Sequence, residues 1–109
     1  MDKNRLRRRL RACAALLVVG LVSGCGRVVP AETAAQAIAV GEAACDRAWG
    51  ELYEPYGVRF RNLHWHATFF NGDRWRVWVD GANKSQLEVI VYTSGEAPSA
   101  CAMYGKFAV

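Results

Sequence analysis

The chain lacks any apolar run long enough to cross a bilayer as a helix. Its longest, Ala12 to Val22 (ACAALLVVGLV), has about half the ~20 residues that a span requires. A multi-span membrane protein is therefore excluded. With 109 residues there is room for one domain, which excludes a large multi-site enzyme. Histidines number only two and prolines three. No Gly-x-Ser-x-Gly, His-Glu-x-x-His or Walker loop occurs. Internal repeats and low-complexity stretches are missing as well. What remains is a chain that is 52% apolar, a globular rather than a disordered composition.

The formal charge of +4 invites a nucleic-acid or anionic-membrane reading until the charges are located. Lys3, Arg5, Arg7, Arg8, Arg9 and Arg11 crowd the first eleven residues, with only Asp2 against them. A basic start, a short apolar core and small residues after it describe a secretory signal peptide. The apolar core ends in Val22-Ser23-Gly24-Cys25. This tetrad resembles the bacterial lipobox: a branched apolar residue, two small residues, then the cysteine that receives lipid. The resemblance implies cleavage before Cys25 and a diacylglycerol on its thiol. Two or three acyl chains hold a protein on a bilayer where one does not. The alternatives are a plain signal peptide cut elsewhere and an uncleaved anchor helix. The arginine run also fits twin-arginine export, but the apolar core lacks the continuation that route uses, which favours general secretion. Gly26 is not the aspartate of inner-membrane retention, so the resemblance points to a periplasm-facing protein of the outer membrane.

Cleavage before Cys25 removes six basic residues and one acid, leaving eight Lys+Arg against nine Asp+Glu. The basic surplus belongs to the leader, and no Lys/Arg cluster survives it. A nucleic-acid partner loses its main support. The cysteines sort themselves on the same cut. Cys13 lies in the leader and Cys25 is the lipid acceptor. Cys45 and Cys101 remain, an even pair in an oxidising compartment, and a disulfide between them is expected. The alternative is a reactive thiol or a metal ligand, but neither has a Cys-x-x-Cys partner or a nearby histidine.

Residues 1–24 thus read as a signal peptide, 25–30 as a tether and 31–109 as one small α+β domain. From Ala31 to about Leu52 the chain has no proline, and Ile38, Cys45, Trp49 and Leu52 recur at helical spacing with Ala34, Ala35 and Ala48. This predicts one amphipathic helix, started at Thr33 or at Pro30-Ala31-Glu32 and ended by Glu54-Pro55-Tyr56-Gly57. Gly41 lowers helix propensity but lets a strand come close. The period then changes to two. Leu63, Trp65, Ala67 and Phe69 alternate with His64, His66, Thr68 and Phe70. Asn71-Gly72-Asp73 turns the chain, and Trp75, Val77 and Val79 alternate with Arg74, Arg76 and Trp78. Leu87, Val89 and Val91 form a third strand after the Asp80–Lys84 turn, and Ala100–Val109 a fourth. The expected architecture is a helix laid on a three- or four-stranded antiparallel meander, with Cys45 on the helix joined to Cys101 on the last strand.

This arrangement resembles the small bacterial immunity proteins of the nuclear-transport-factor-2-like, or cystatin-like, fold. The residues that carry the resemblance are Ala37, Ile38, Ala39 and Trp49 on the helix, then Tyr56 and Gly57. The hairpin residues Ala67, Asn71, Gly72, Asp73, Trp75 and Val77 follow, with Val89 and Gly95 after them. Ala82-Asn83-Lys84-Ser85 stands where the family has Gly-Gly, and the family's first-strand proline is absent from Leu63–Phe70. The resemblance implies the fold and a protein partner, a toxin in the immunity version. Enzymes of this fold class work inside a deep cone, and a chain with one helix is too short to wall one, so no enzyme and no cofactor are expected.

Three groups of side chains were weighed for chemistry. His64-x-His66 has the spacing of a chelating pair, but a metal needs a third ligand, for which Glu88 is the candidate; the alternative is a solvated sheet face. Asp46, Glu51 and Glu54 read as the wet side of the helix rather than as acid–base residues. Phe70, Arg74, Arg76 and Trp78 fall on the face opposite the core, a combination typical of protein-binding hot spots. The expected function is a lipid-anchored envelope protein that binds another protein through this face. The competing readings are a structural envelope lipoprotein without a dedicated partner and a small-ligand or metal-binding module.

Overall fold

The computed structural model describes residues 30–109. The signal peptide, Cys13, Cys25 and most of the tether lie outside the described residues.

A capping box starts the helix. Thr33 Oγ1 accepts from the Gln36 backbone N–H (3.1 Å), and Gln36 Oε1 accepts from the N–H groups of Thr33 (3.0 Å) and Glu32 (2.7 Å). Donors that would otherwise be orphaned at the helix start are thereby satisfied. Helix α1 then runs Ala34–Tyr53, three residues later than the earliest expected start. Pro55 cannot continue it, so the chain tightens into a 3-10 turn at Glu54–Tyr56 and reverses at Gly57, whose φ is 79°.

The buried stripe of α1 is Ala37, Gly41, Ala44 and Cys45, with Ile38, Val40, Trp49 and Tyr53 packed around the core. Ala34, Ala35, Ala48 and Leu52, expected on that stripe, are exposed. An ideal 3.6-residue repeat from Ala37 and Gly41 would pass through Ala48 and Leu52. The packed residues instead follow four-residue steps from Gly41 through Cys45 and Trp49 to Tyr53, so the stripe winds around the helix and leaves Leu52 outside it. At Gly41 helix and sheet come close together. A β-carbon there would sit 2.8 Å from Val77 Cγ1 and 2.9 Å from Val89 Cγ1.

Four strands form an antiparallel meander in sequence order: β1 His66–Phe70, β2 Arg74–Asp80, β3 Gln86–Tyr92 and β4 Ala102–Tyr104. Phe70 pairs with Arg74, so Asn71-Gly72-Asp73 is the whole β1–β2 loop. Asn71 (φ 56°) and Gly72 (φ 76°) both take the left-handed conformation that such loops require. The inner face of β2 and β3 presents Val77, Val79, Leu87, Val89 and Val91, all buried under α1. Each fully buried side chain of this kind contributes about 1.5–3 kcal/mol.

Two expected strands are shorter than their alternation implies. β1 begins at His66 rather than Leu63, because Phe60–Asn62 is a 3-10 turn and Trp65 donates its indole N–H to the Phe60 carbonyl (2.7 Å). That bond turns Trp65 down into the core, where it is buried. The last strand stops at Tyr104. Gly105 (φ 72°) redirects the chain, and Phe107 enters the core edge-on to Tyr53 and Phe60.

Cys45 and Cys101 are bonded, as expected, with Cα atoms 5.0 Å apart and a sequence separation of 56. Cys101 lies just before β4 rather than on it. On a chain-entropy argument, closing a loop of that size stabilises the fold by about 4 kcal/mol. No helix among the described residues is long and apolar enough to cross a membrane.

Candidate interaction face

The outer face of the sheet is built by register. β2 turns Arg74, Arg76, Trp78 and Asp80 away from α1, and antiparallel pairing sets one side chain from each neighbour beside each of them. Phe70, Arg74 and Tyr92 make one row; Thr68, Arg76 and Ile90 the next; His66, Trp78 and Glu88 a third. The four residues expected to share this face, Phe70, Arg74, Arg76 and Trp78, do share it. Sequence reasoning left out Gln86, although the alternation that placed Glu88, Ile90 and Tyr92 on the same side extends to it.

These side chains are organised by mutual contact. His66 stacks on Trp78, with ring centroids 5.1 Å apart. The Arg76 guanidinium lies 4.0 Å from the Trp78 ring centroid, a cation–π distance. The same guanidinium pairs with the Glu88 carboxylate and donates to Gln86 Oε1 (3.2 Å). Gln86 in turn donates to Asp80 (2.9 Å). In the first row Arg74 lies 5.0 Å over the Tyr92 ring and is paired with Asp73 at 2.8 Å. The Asp73 carboxyl is held below the usual carboxylate range by its hydrogen bond from Arg74. None of the side chains from β1, β2 and β3 on this face is buried; those of Arg74, Arg76, Trp78, Glu88, Ile90 and Tyr92 are half-buried.

Trp78 differs from the other three tryptophans. Trp49 donates its indole N–H to the Cys101 carbonyl (3.0 Å), Trp65 to Phe60 and Trp75 to the Ala31 carbonyl (2.9 Å). The bonds of Trp49 and Trp75 tie distant parts of the chain together, and that of Trp65 closes the loop before β1. Trp78 makes no such bond among the described residues.

His64 and His66 are close, with ring centroids 4.8 Å apart. Glu88 does not complete a site with them. Its carboxylate is taken by Arg76, and Trp78 stands between β1 and β3 in the same row. Among the described residues no group of three or more His, Cys, Asp and Glu is arranged to hold a metal ion.

On the helix side, two adjoining surface grooves of about 300 and 340 Å³ lie between α1 and the loop from Val58 to Arg61. Glu42 and Asp46 line them from the helix, and Arg59 and Arg61 from the loop. The Glu42 carboxyl is pushed up by burial and by Asp46, with Arg61 opposing. Glu51 and Glu54 are exposed at the helix end, as expected. Mixed charges of both signs on open grooves offer no convergent acid–base pair.

Comparison with known proteins returned no matching family model, no matching curated protein and no matching solved structure.

Proposed function

We propose that this chain is an exported, lipid-anchored protein of the bacterial envelope that binds a protein partner through the outer face of its sheet. The observation that carries the reading is Trp78. It is a large aromatic side chain on the sheet face away from α1, stacked by His66 and Arg76, with no hydrogen bond from its indole N–H among the described residues. Binding hot spots are enriched in tryptophan and arginine, and the low rotamer freedom left to a stacked side chain reduces the entropy lost on binding. Val22-Ser23-Gly24-Cys25 supports the anchor. One helix on a four-stranded meander supports the cystatin-like class, and that class with this face supports the immunity version, in which the partner is a toxin.

The test is crosslinking from intact membranes with the lipidated protein, using a photoreactive residue in place of Thr68 on the outer face and another in place of Ala43 on the helix. A partner captured from Thr68, lost in Trp78→Ala and absent from Ala43 is the expected result. Capture from Ala43 alone, or no dependence on Trp78, overturns the reading. The immunity version further requires that the purified domain block the captured partner's toxicity.

A further inference from the structure

Cys25 and Ala31 are six residues apart, and a chain of that length reaches at most ~20 Å. Ala31 is fixed in place. It is fully buried, its carbonyl accepts from Trp75 (2.9 Å), and its N–H donates to the Thr93 carbonyl (3.4 Å). Thr93 in turn donates to the Asp73 carbonyl (2.9 Å). The start of α1, the β1–β2 loop and the end of β3 therefore form one pole of the domain, and the chain leaves from it toward Cys25. The opposite pole holds the Glu54–Tyr56 turn, the β2–β3 loop and Phe107, which meets Tyr53 at the end of α1. The near pole also carries two exposed phenyl rings. Phe69 is 46% and Phe70 37% exposed, on opposite faces of edge strand β1 beside the Asn71–Asp73 loop.

Resting on the reading of Cys25 as the lipid acceptor, we propose that this pole sits against the bilayer, with Phe69 and Phe70 entering the headgroup layer. The short tether keeps the pole at the surface, and exposed phenyl groups gain from leaving water at that depth. The charges select the lipid. Among the described residues, Glu32, Asp73 and Glu96 lie on or next to the pole against Arg74 there. A surface with this acidic excess is repelled by anionic headgroups and accepted by zwitterionic ones. With this pole down, β1 to β3 run away from the membrane, and the row of His66, Trp78 and Glu88 stands further from it than the row of Phe70, Arg74 and Tyr92.

The test uses the lipidated protein in zwitterionic phosphatidylcholine vesicles doped with a nitroxide-headgroup lipid, read by amide NMR line broadening. Severalfold stronger broadening at Asn71, Gly72 and Thr33 than at Glu54, Gly57 and Asn83 is expected. The difference should fall in a Phe69→Ser, Phe70→Ser double variant that keeps its Tm, and in vesicles rich in phosphatidylglycerol. Intact mass fixes the state of Cys25 beforehand. A mass without the acylglycerol overturns the anchor and this orientation together. A lipidated protein with equal broadening at both poles overturns the orientation alone. Equal broadening of the double variant and the parent assigns the effect to the tether and overturns the role of the phenyl groups.

Discussion

Trp49 donates its indole N–H to the carbonyl of Cys101, the residue whose sulfur is bonded to Cys45 one helical turn earlier. The helix thus grips the segment before β4 twice, once by a covalent bond and once by a hydrogen bond from the same face. The two ties are adjacent, so the loss of one leaves the other to hold local geometry.

Replacing both cysteines, Cys45→Ala with Cys101→Ala, should lower unfolding free energy by about 4 kcal/mol, within the usual range of about 2–5 kcal/mol. Urea denaturation of the mature domain reads this directly. Adding Trp49→Phe to the double variant should cost more than it does in the bonded parent. Equal costs would show that the two ties act independently.

Gly41→Ala sets two effects against each other. Alanine gains about 1 kcal/mol of helix propensity over glycine. Its β-carbon, however, would press on Val77 and Val89, which are buried and stiff at χ1. Overpacking of this kind costs about 1–3 kcal/mol. The net result is a less stable domain, with a Tm lowered by roughly 4–8 °C for each 1 kcal/mol lost. A raised Tm would mean that the helix can lift off the sheet without loss.

Trp75 and Trp78 are three residues apart on β2, hence on opposite faces, and should behave oppositely. Trp75→Ala removes a packed indole and its bond to Ala31, at about 3–5 kcal/mol. Trp78→Ala removes an outer-face ring and its cation–π contact, which is worth about 0.5–1 kcal/mol at an exposed site. Thermal melts of the two variants side by side check the contrast. A collapse of Trp78→Ala to the level of Trp75→Ala would make that ring structural.

Glu42 gives a pH signature. Burial, then Asp46, raise its pKa above the ordinary carboxylate value of 4.5, so its charged form is disfavoured in the folded state. The folded state then holds the proton to higher pH than the unfolded state. The penalty is present above the folded pKa and is relieved as pH falls through it toward 4.5. Glu42→Gln should therefore be more stable than the parent at neutral pH, and the gap should close on acidification. Denaturation midpoints at pH 7 and pH 4 decide it. A gap that widens toward acid would contradict the assigned sign.

The hairpin of β1 and β2 was legible because two local signals agree: alternation on both sides, and Asn-Gly at positions that need positive φ. The outer face was legible for the same reason, since a fixed loop fixes the register and every side chain's side with it. The helix face was harder to read. Alanine fits either side of a helix, so Ala34, Ala35 and Ala48 carry no information about facing, whereas Gly41 does so only through the strand pressed against it. Leu63 and Trp65 mimic a strand because an irregular loop that sends a tryptophan inward shows the same apolar positions. Phe107 gave no local sign of burial. Its place follows from the bend at Gly105 and from the Tyr53–Phe60 ring pair it packs against, which only the assembled domain brings together.

The sheet joins every strand to its neighbour in sequence, and this sets an order of folding events. Its hairpins need only short loops to close, which takes microseconds. Docking of α1 comes next, because its partners lie some forty to fifty residues away. The sulfur bond comes last, on the scale of seconds or longer. It therefore locks a domain that has already chosen its shape, as a latch rather than as a guide.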